Sequence, residues 1–266
     1  KIRPNIVMHL AAETHVDNSI SDPTKFVLNN IVGTTNLLEV LLIYWDSLLS
    51  QEKKFFRFLN VSTDEVFGSL NNEGKFSETS PYRPNSPYSA SKAASDHFVR
   101  SWFNTYKFPV ITTNCSNNFG PWQFPEKLIP LIIMKCIKKE SIPIYGNGEN
   151  IRDWIYVDDH VEALKNCVFQ GNIGESYCIG GDNEISNLNI AKFICSYMNK
   201  KLPWDKPYSS LITFVDDRPG HDFRYSIDSS KIKNELNWRP NCEFEKGIKK
   251  TVNWYLENQD WVLQKI

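Results

Sequence analysis

Short apolar runs alternate with longer helical stretches along the first half of the chain, and this alternation leaves few folds open. Asn5–Ala11 (NIVMHLA), Phe56–Ser62 (FRFLNVS) and Val110–Cys115 (VITTNC) read as strands. Lys25–Leu49 is long and helical, with apolar residues at Phe26, Ile31, Leu37, Leu38, Leu41 and Leu42. Tyr88–Tyr106 reads as a second helix, and residues 69–87, with Gly, Asn, Ser and three prolines, as a loop. Strands apolar on both faces need cover on both, which the intervening helices supply. The pattern therefore predicts an α/β fold with a doubly wound parallel sheet.

The remainder has shorter elements: Pro125–Lys138, Ile142–Tyr145, Asp158–Phe169, Ser176–Gly180, Leu188–Met198, Ile212–Val215 and Phe244–Glu257. They predict a smaller C-terminal α/β lobe on the sheet's carboxyl edge. The boundary falls near 119, giving lobes of 1–119 and 120–266 that interleave.

Composition excludes several classes. The 266 residues are 41% hydrophobic and 23% charged, enough apolar material for a folded core. Thirty basic against thirty-one acidic residues disfavour a nucleic-acid partner. No unbroken apolar run approaches the roughly 18 residues of a membrane helix. Lys1-Ile2-Arg3-Pro4-Asn5 lacks a signal peptide's apolar core. Six scattered cysteines, none in a C-x-x-C pair, read as reduced buried thiols, so a cytoplasmic setting is expected. The five histidines show no metal-ligand spacing, and no metal is expected.

In open α/β sheets ligands bind beyond the carboxyl ends of the strands. Three candidate groups lie after strands or in the following helix. Tyr88 and Lys92 in Tyr88-Ser89-Ala90-Ser91-Lys92 are spaced i, i+4 and share a helix face. A nearby ammonium favours the phenolate, so the pair can act as a base, though an ordinary helix start reads the same way. Ser62-Thr63-Asp64-Glu65 places two carboxylates side by side at a strand end. They suit a turn or helix cap, or a general acid beside a general base. Asp217-Arg218-Pro219-Gly220-His221-Asp222 and Arg152, which follows the Gly-rich turn at 145–148, set two arginines at loop ends. They suit a pyrophosphate, or surface ion pairs. No G-x-G-x-x-G occurs, so a dinucleotide's phosphate-cradling turn is not in this sequence.

Taken together and in order, these motifs resemble the extended short-chain dehydrogenase/reductase family, in its dTDP-glucose 4,6-dehydratase branch. The resemblance rests on the stretches 9–17, 30–34, 62–68, 87–92, 114–121, 125–130, 151–154 and 217–222. It implies a Rossmann-like NAD-binding domain and a sugar-nucleotide lobe, whose activity is the dehydration of dTDP-glucose to its 4-keto-6-deoxy derivative. Tyr88, assisted by Thr63, would take the 4-hydroxyl proton as the hydride passes to NAD. Lys92 would tune Tyr88 and hold the nicotinamide ribose. Glu65 would remove the C5 proton, and Asp64 would protonate the departing C6 hydroxyl. The hydride would then return to C6.

By the same resemblance Leu10, Ala11, Ala12 and Asn118 would join Tyr88 and Lys92 at the cofactor. Thr14, Thr63, Asn117, Lys127, Leu128, Pro143, Ile144, Tyr145, Arg152 and Asn187 would line the sugar-nucleotide site. Asp217, Arg218, Pro219, Gly220 and His221 would complete it. The family's Gly-rich opening, about two βα units or ~60–75 residues, would precede Lys1. A homodimer is expected through the Lys25–Leu49 and Tyr88–Tyr106 helices. Dehydration of UDP-glucose by the same residues, and a non-catalytic sugar-nucleotide-binding role, are the alternative readings.

Overall fold

The computed structural model describes residues 2–265. Nine strands follow in chain order: β1 (Ile6–His9), β2 (Arg57–Thr63), β3 (Val110–Cys115), β4 (Asn117–Phe119), β5 (Ile142–Tyr145), β6 (Ile151–Tyr156), β7 (Ser176–Ile179), β8 (Glu184–Ser186) and β9 (Ile212–Val215). The main sheet is parallel, in the order β1-β2-β3-β7, with Phe58 opposite Val110 and Thr112 opposite Ser176. β7 and the Val157–Gln170 helix thus return from the second half of the chain to the first sheet.

Alternation along the strands sorts the core into two layers. Phe58 and Val110 turn to one face and pack with Leu38, Leu41 and Val99 from the flanking helices and with Phe108 from the loop before β3. Leu59 and Ile111 turn to the other and meet Ala163, Leu164 and Val168 of the Val157–Gln170 helix. A third cluster fills the C-terminal lobe, where Ile132, Ile133, Ile194, Met198, Ile248 and Val252 from three helices are fully buried. Around it lie a β4-β6-β8 sheet and a parallel β5-β9 pair. The strand at Ile151–Tyr156 has no counterpart in the expected elements. Its Arg152 and Asp153 mask it, yet both are buried there.

The first long helix departs from expectation. Helical structure runs unbroken from Pro23 to Asp46, with a π turn at Val27–Val32. An 18-residue window has mean hydropathy 1.5, so by length and composition this helix could cross a membrane, contrary to the expectation of no such segment. Asn29, Asn30 and Thr34–Asn36 interrupt every apolar run but do not lower the average enough. Phe26, Asn30, Thr34, Leu38 and Leu41 form its buried side, while Val27, Leu28, Val32, Val40 and Ile43 are exposed.

Candidate active site

Local capping places the two catalytic candidates. Ser86 accepts a hydrogen bond from the Ser89 amide at 3.1 Å, and Ser89 Oγ accepts one from the Ser86 amide at 3.0 Å. This reciprocal cap, with Pro87 in the first turn, starts the Pro87–Tyr106 helix and is worth about 1 kcal/mol. Tyr88 therefore emerges in the first turn, and Lys92 one turn later, both buried. At the end of β2, Thr63 Oγ1 accepts the Glu65 amide at 3.2 Å and donates to Asp64 Oδ1 at 3.2 Å. Gly68 closes this short 3-10 turn at φ 90°, where a Cβ would sit 2.4 Å from the Arg83 carbonyl oxygen.

The two neighbouring carboxyls have different surroundings. Asp64 is 1% exposed, and burial, then the negative Glu65 and Asp153, push its pKa well above the usual range. Glu65 reaches the cavity, where burial raises its pKa but Arg152, Arg218 and Lys127 oppose the rise. Two adjacent carboxyls in unlike surroundings, one fully buried and one facing three cations, suit a division of labour between acid and base.

Tyr88 corrects an expectation. Burial, then the facing Glu65 and Cys115, raise its pKa well above 10, whereas a nearby Lys92 was expected to lower it. The Lys92 ammonium points elsewhere, donating to the Val61 carbonyl at 2.9 Å. Its own pKa is lowered by burial, against the pull of Asp96.

Above these groups opens a cavity of about 280 Å³ between the lobes. Thr14, Glu65, Asn117, Lys127, Leu128 and Arg152 line it together with Pro143, Ile144, Tyr145, Asn187, Arg218 and His221. Thr63, Asp64, Tyr88 and Lys92 lie deeper, and Asp217, Pro219 and Gly220 lie exposed beside the opening. His221 is oriented by Asp217, Nδ1 to Oδ1 at 2.6 Å. Lys127 donates to the Thr14 carbonyl at 2.7 Å.

Arg152 stacks on Tyr225 at 4.3 Å and donates to the carbonyls of Ile151, Asp222 and Phe223, so its fork is already held in place. Arg218 is held by Asp17 at 3.3 Å, and its Nε is buried without a partner among the described residues. Sequence reasoning missed Asp17, His15, Glu126, Trp154 and Tyr225 as lining residues. The first two sat inside the recognised 9–17 stretch, and Tyr225 carried no motif.

Leu10, Ala11 and Ala12 follow β1 at the sheet's carboxyl edge, with Leu10 57% exposed. Among the described residues Ser116 Oγ and Asn118 Oδ1 are buried without hydrogen-bond partners. Apolar backbone cover beside unpaired polar atoms and the Lys92 ammonium fits the nicotinamide end of a dinucleotide.

The family model described as GDP-mannose 4,6 dehydratase matches residues 1–251. The chain is 53% identical over 262 residues to dTDP-glucose 4,6-dehydratase of Xanthomonas campestris, covering 98% of this chain and 75% of that protein. It is 54% identical over 269 residues to the Shigella flexneri protein of the same name, with 98% and 74% coverage. A crystal structure of DesIV, a dTDP-glucose 4,6-dehydratase of Streptomyces venezuelae with NAD bound, superposes with a TM-score of 0.88 at 40% identity, over 98% of this chain and 76% of that one. UDP-glucose 4-epimerase of Thermotoga maritima has the same fold at 25% identity and TM-score 0.84, over 97% and 79% of the two chains. With its Thr-Asp-Glu turn, its Tyr/Lys helix and this likeness along nearly its whole length, the chain belongs to the dTDP-glucose 4,6-dehydratases, within the extended short-chain dehydrogenase/reductases.

Proposed function

We propose that the chain catalyses the dehydration of dTDP-glucose to dTDP-4-keto-6-deoxyglucose with NAD as cofactor. The observation that carries this reading is the pair at the end of β2, with Asp64 buried beside a Glu65 that lines the cavity and faces three cations. Leu10, Ala11, Ala12, Lys92 and Asn118 would hold NAD, which supplies reversible oxidation and reduction of the sugar.

The remaining work falls to side chains. Tyr88, with Thr63 beside it, accepts the proton of the sugar 4-hydroxyl. Glu65 takes the proton from C5, which the neighbouring C4 ketone has acidified. Asp64 gives its proton to the C6 hydroxyl, which leaves as water, and a C5–C6 double bond forms; C6 would then take back the hydride held by the cofactor and C5 the proton held on Glu65, which balances the 6-deoxy product. Lys127, Arg152, Arg218 and His221 line the cavity with cationic and donor groups suited to a pyrophosphate.

The test is to incubate the purified protein with NAD and dTDP-glucose, and in parallel with UDP-glucose. Loss of water from the dTDP sugar supports the reading. Turnover of the UDP sugar alone would move the substrate to a uridine nucleotide, and binding without turnover would make this a non-catalytic sugar-nucleotide-binding protein.

Two further features belong to the same reading. The exposed row Val27, Leu28, Val32, Val40 and Ile43 supports a homodimer in which this helix is covered by a second copy rather than by lipid. Six free cysteines among the described residues fit a reducing, cytoplasmic setting. A monomer in light scattering would sink the first.

A further inference from the structure

Asp96 is a buried carboxylate, 4% exposed, that the mechanism above leaves unused. Tyr88, Lys92 and Asp96 recur at intervals of four, so they share the helix face turned to β2 and β3. Asp96 Oδ1 accepts the Asn60 amide at 2.8 Å. Its Oδ2 accepts the Ser62 hydroxyl at 2.7 Å, the Tyr82 hydroxyl at 3.0 Å and the Asn114 amide at 3.4 Å. Asn114 also donates to the Thr63 carbonyl at 3.2 Å, which links the cluster to the residue before the acid pair. Converging donors of this kind suit an ionised acceptor.

An isolated buried anion is costly, and a buried cation lies one helical turn away. Burial raises the Asp96 pKa, and Lys92 is the largest influence opposing it. The reverse holds for Lys92, which burial lowers and Asp96 supports most. The other titratable neighbours are His9 from β1, Tyr82 from the loop after β2, Cys115 from β3 and Tyr88 on the same helix. His9 is pushed down to about 4, by burial and then by Lys92, so it adds no charge near neutrality. Tyr82 and Cys115 are raised, to beyond the ordinary range and to about 12, and stay neutral there too.

We propose that Asp96 is a positioning residue that keeps the Lys92 ammonium charged and fixes the Thr63 end of β2 against the helix bearing Tyr88. The catalytic consequence rests on the reading of Tyr88 and Lys92 given above; the charge pairing does not.

The test is a double-mutant cycle in urea unfolding with Asp96→Asn, Lys92→Met and the double variant. Each single change strands one buried charge, and the double change removes both. The double variant is expected to be more stable than the sum of the singles predicts, by about tenfold or more in the folding equilibrium. Additive losses overturn the pairing. If Asp96→Asn alone does not fold, the double variant must recover folding, and its failure overturns the proposal equally.

A second arm reads activity against pH in Asp96→Asn. The alkaline limb should move down by about one pH unit or more, while KM for dTDP-glucose stays within about twofold. A uniform fall in kcat with an unmoved profile means Asp96 is only structural. Strong coupling in a protein that turns over no sugar nucleotide leaves the pairing standing and removes the functional reading instead.

Discussion

Asp17 accepts the Tyr145 hydroxyl at 2.9 Å, although 128 positions separate the two residues. The same carboxylate holds Arg218 at 3.3 Å, so one side chain of the first lobe fixes two groups of the second at the cavity rim. Asp17→Ala releases both. We expect KM for dTDP-glucose to rise about tenfold, the scale of one lost hydrogen bond to a charged group, with kcat within about twofold. Steady-state kinetics check this, and an unchanged KM would remove Arg218 from the substrate site.

Glu65→Gln keeps the shape of the turn and removes the base. Turnover should fall by about 10²–10⁴-fold, with dTDP-glucose still bound. Proton exchange at C5, followed as deuterium uptake from heavy water, should vanish. Exchange at the wild-type rate would refute the role of Glu65.

Asp64→Asn separates the two proton transfers. Asn keeps the size of the side chain and an acceptor for the Thr63 hydroxyl, so binding should persist while elimination slows by about 10²–10⁴-fold. Deuterium uptake at C5 should survive in this variant. Its loss there would mean that the two carboxyls do not divide the work.

His160 offers a test of stability against pH. It is 7% exposed, its Nε2 has no partner among the described residues, and burial lowers its pKa to about 4. Between about 4 and 6.5 the unfolded chain holds a proton on this histidine that the folded chain lacks. Its contribution to stability is therefore present above pH 6.5 and is lost as pH falls through that window, by up to about 3 kcal/mol. His160→Leu should flatten that part of a urea-unfolding pH profile. The same slope in the variant would show that other groups set it.

Gly68→Ala should cost about 2–3 kcal/mol, because its backbone favours glycine and the new methyl meets the Arg83 carbonyl. Thermal unfolding measures the loss. Wild-type stability would mean that the turn carrying Asp64 and Glu65 tolerates another path.

Elements with a simple periodicity were legible before folding: β3, β5, β9 and the Phe244–Glu257 helix have the expected limits. So was the grouping of Glu65, Lys127, Arg152 and Arg218 around one cavity, because their motifs occur in a recognisable order. β6 was hidden, since charged Arg152 and Asp153 do not resemble strand interior until Tyr225 and the Gly181 and Asn183 amides receive them. The π turn leaves no trace in periodicity; there Asn30 bonds both backbone groups of Glu13 and the Ser91 hydroxyl. The Tyr88 pKa also eluded spacing, which locates Lys92 one turn away but cannot say that its ammonium is drawn to Val61.

The place of β7 bears on how the chain leaves the ribosome. β1, β2 and β3 can associate early, but the outer edge of β3 must wait for Ser176–Ile179. Until then Thr112–Cys115 present unpaired backbone groups, a template for another nascent chain. Everything from β4 to the Val157–Gln170 helix is translated within that interval. Only the opening part of the second lobe is thus made while the first is still adhesive, and the helices that complete its core follow the strand that ends this exposure.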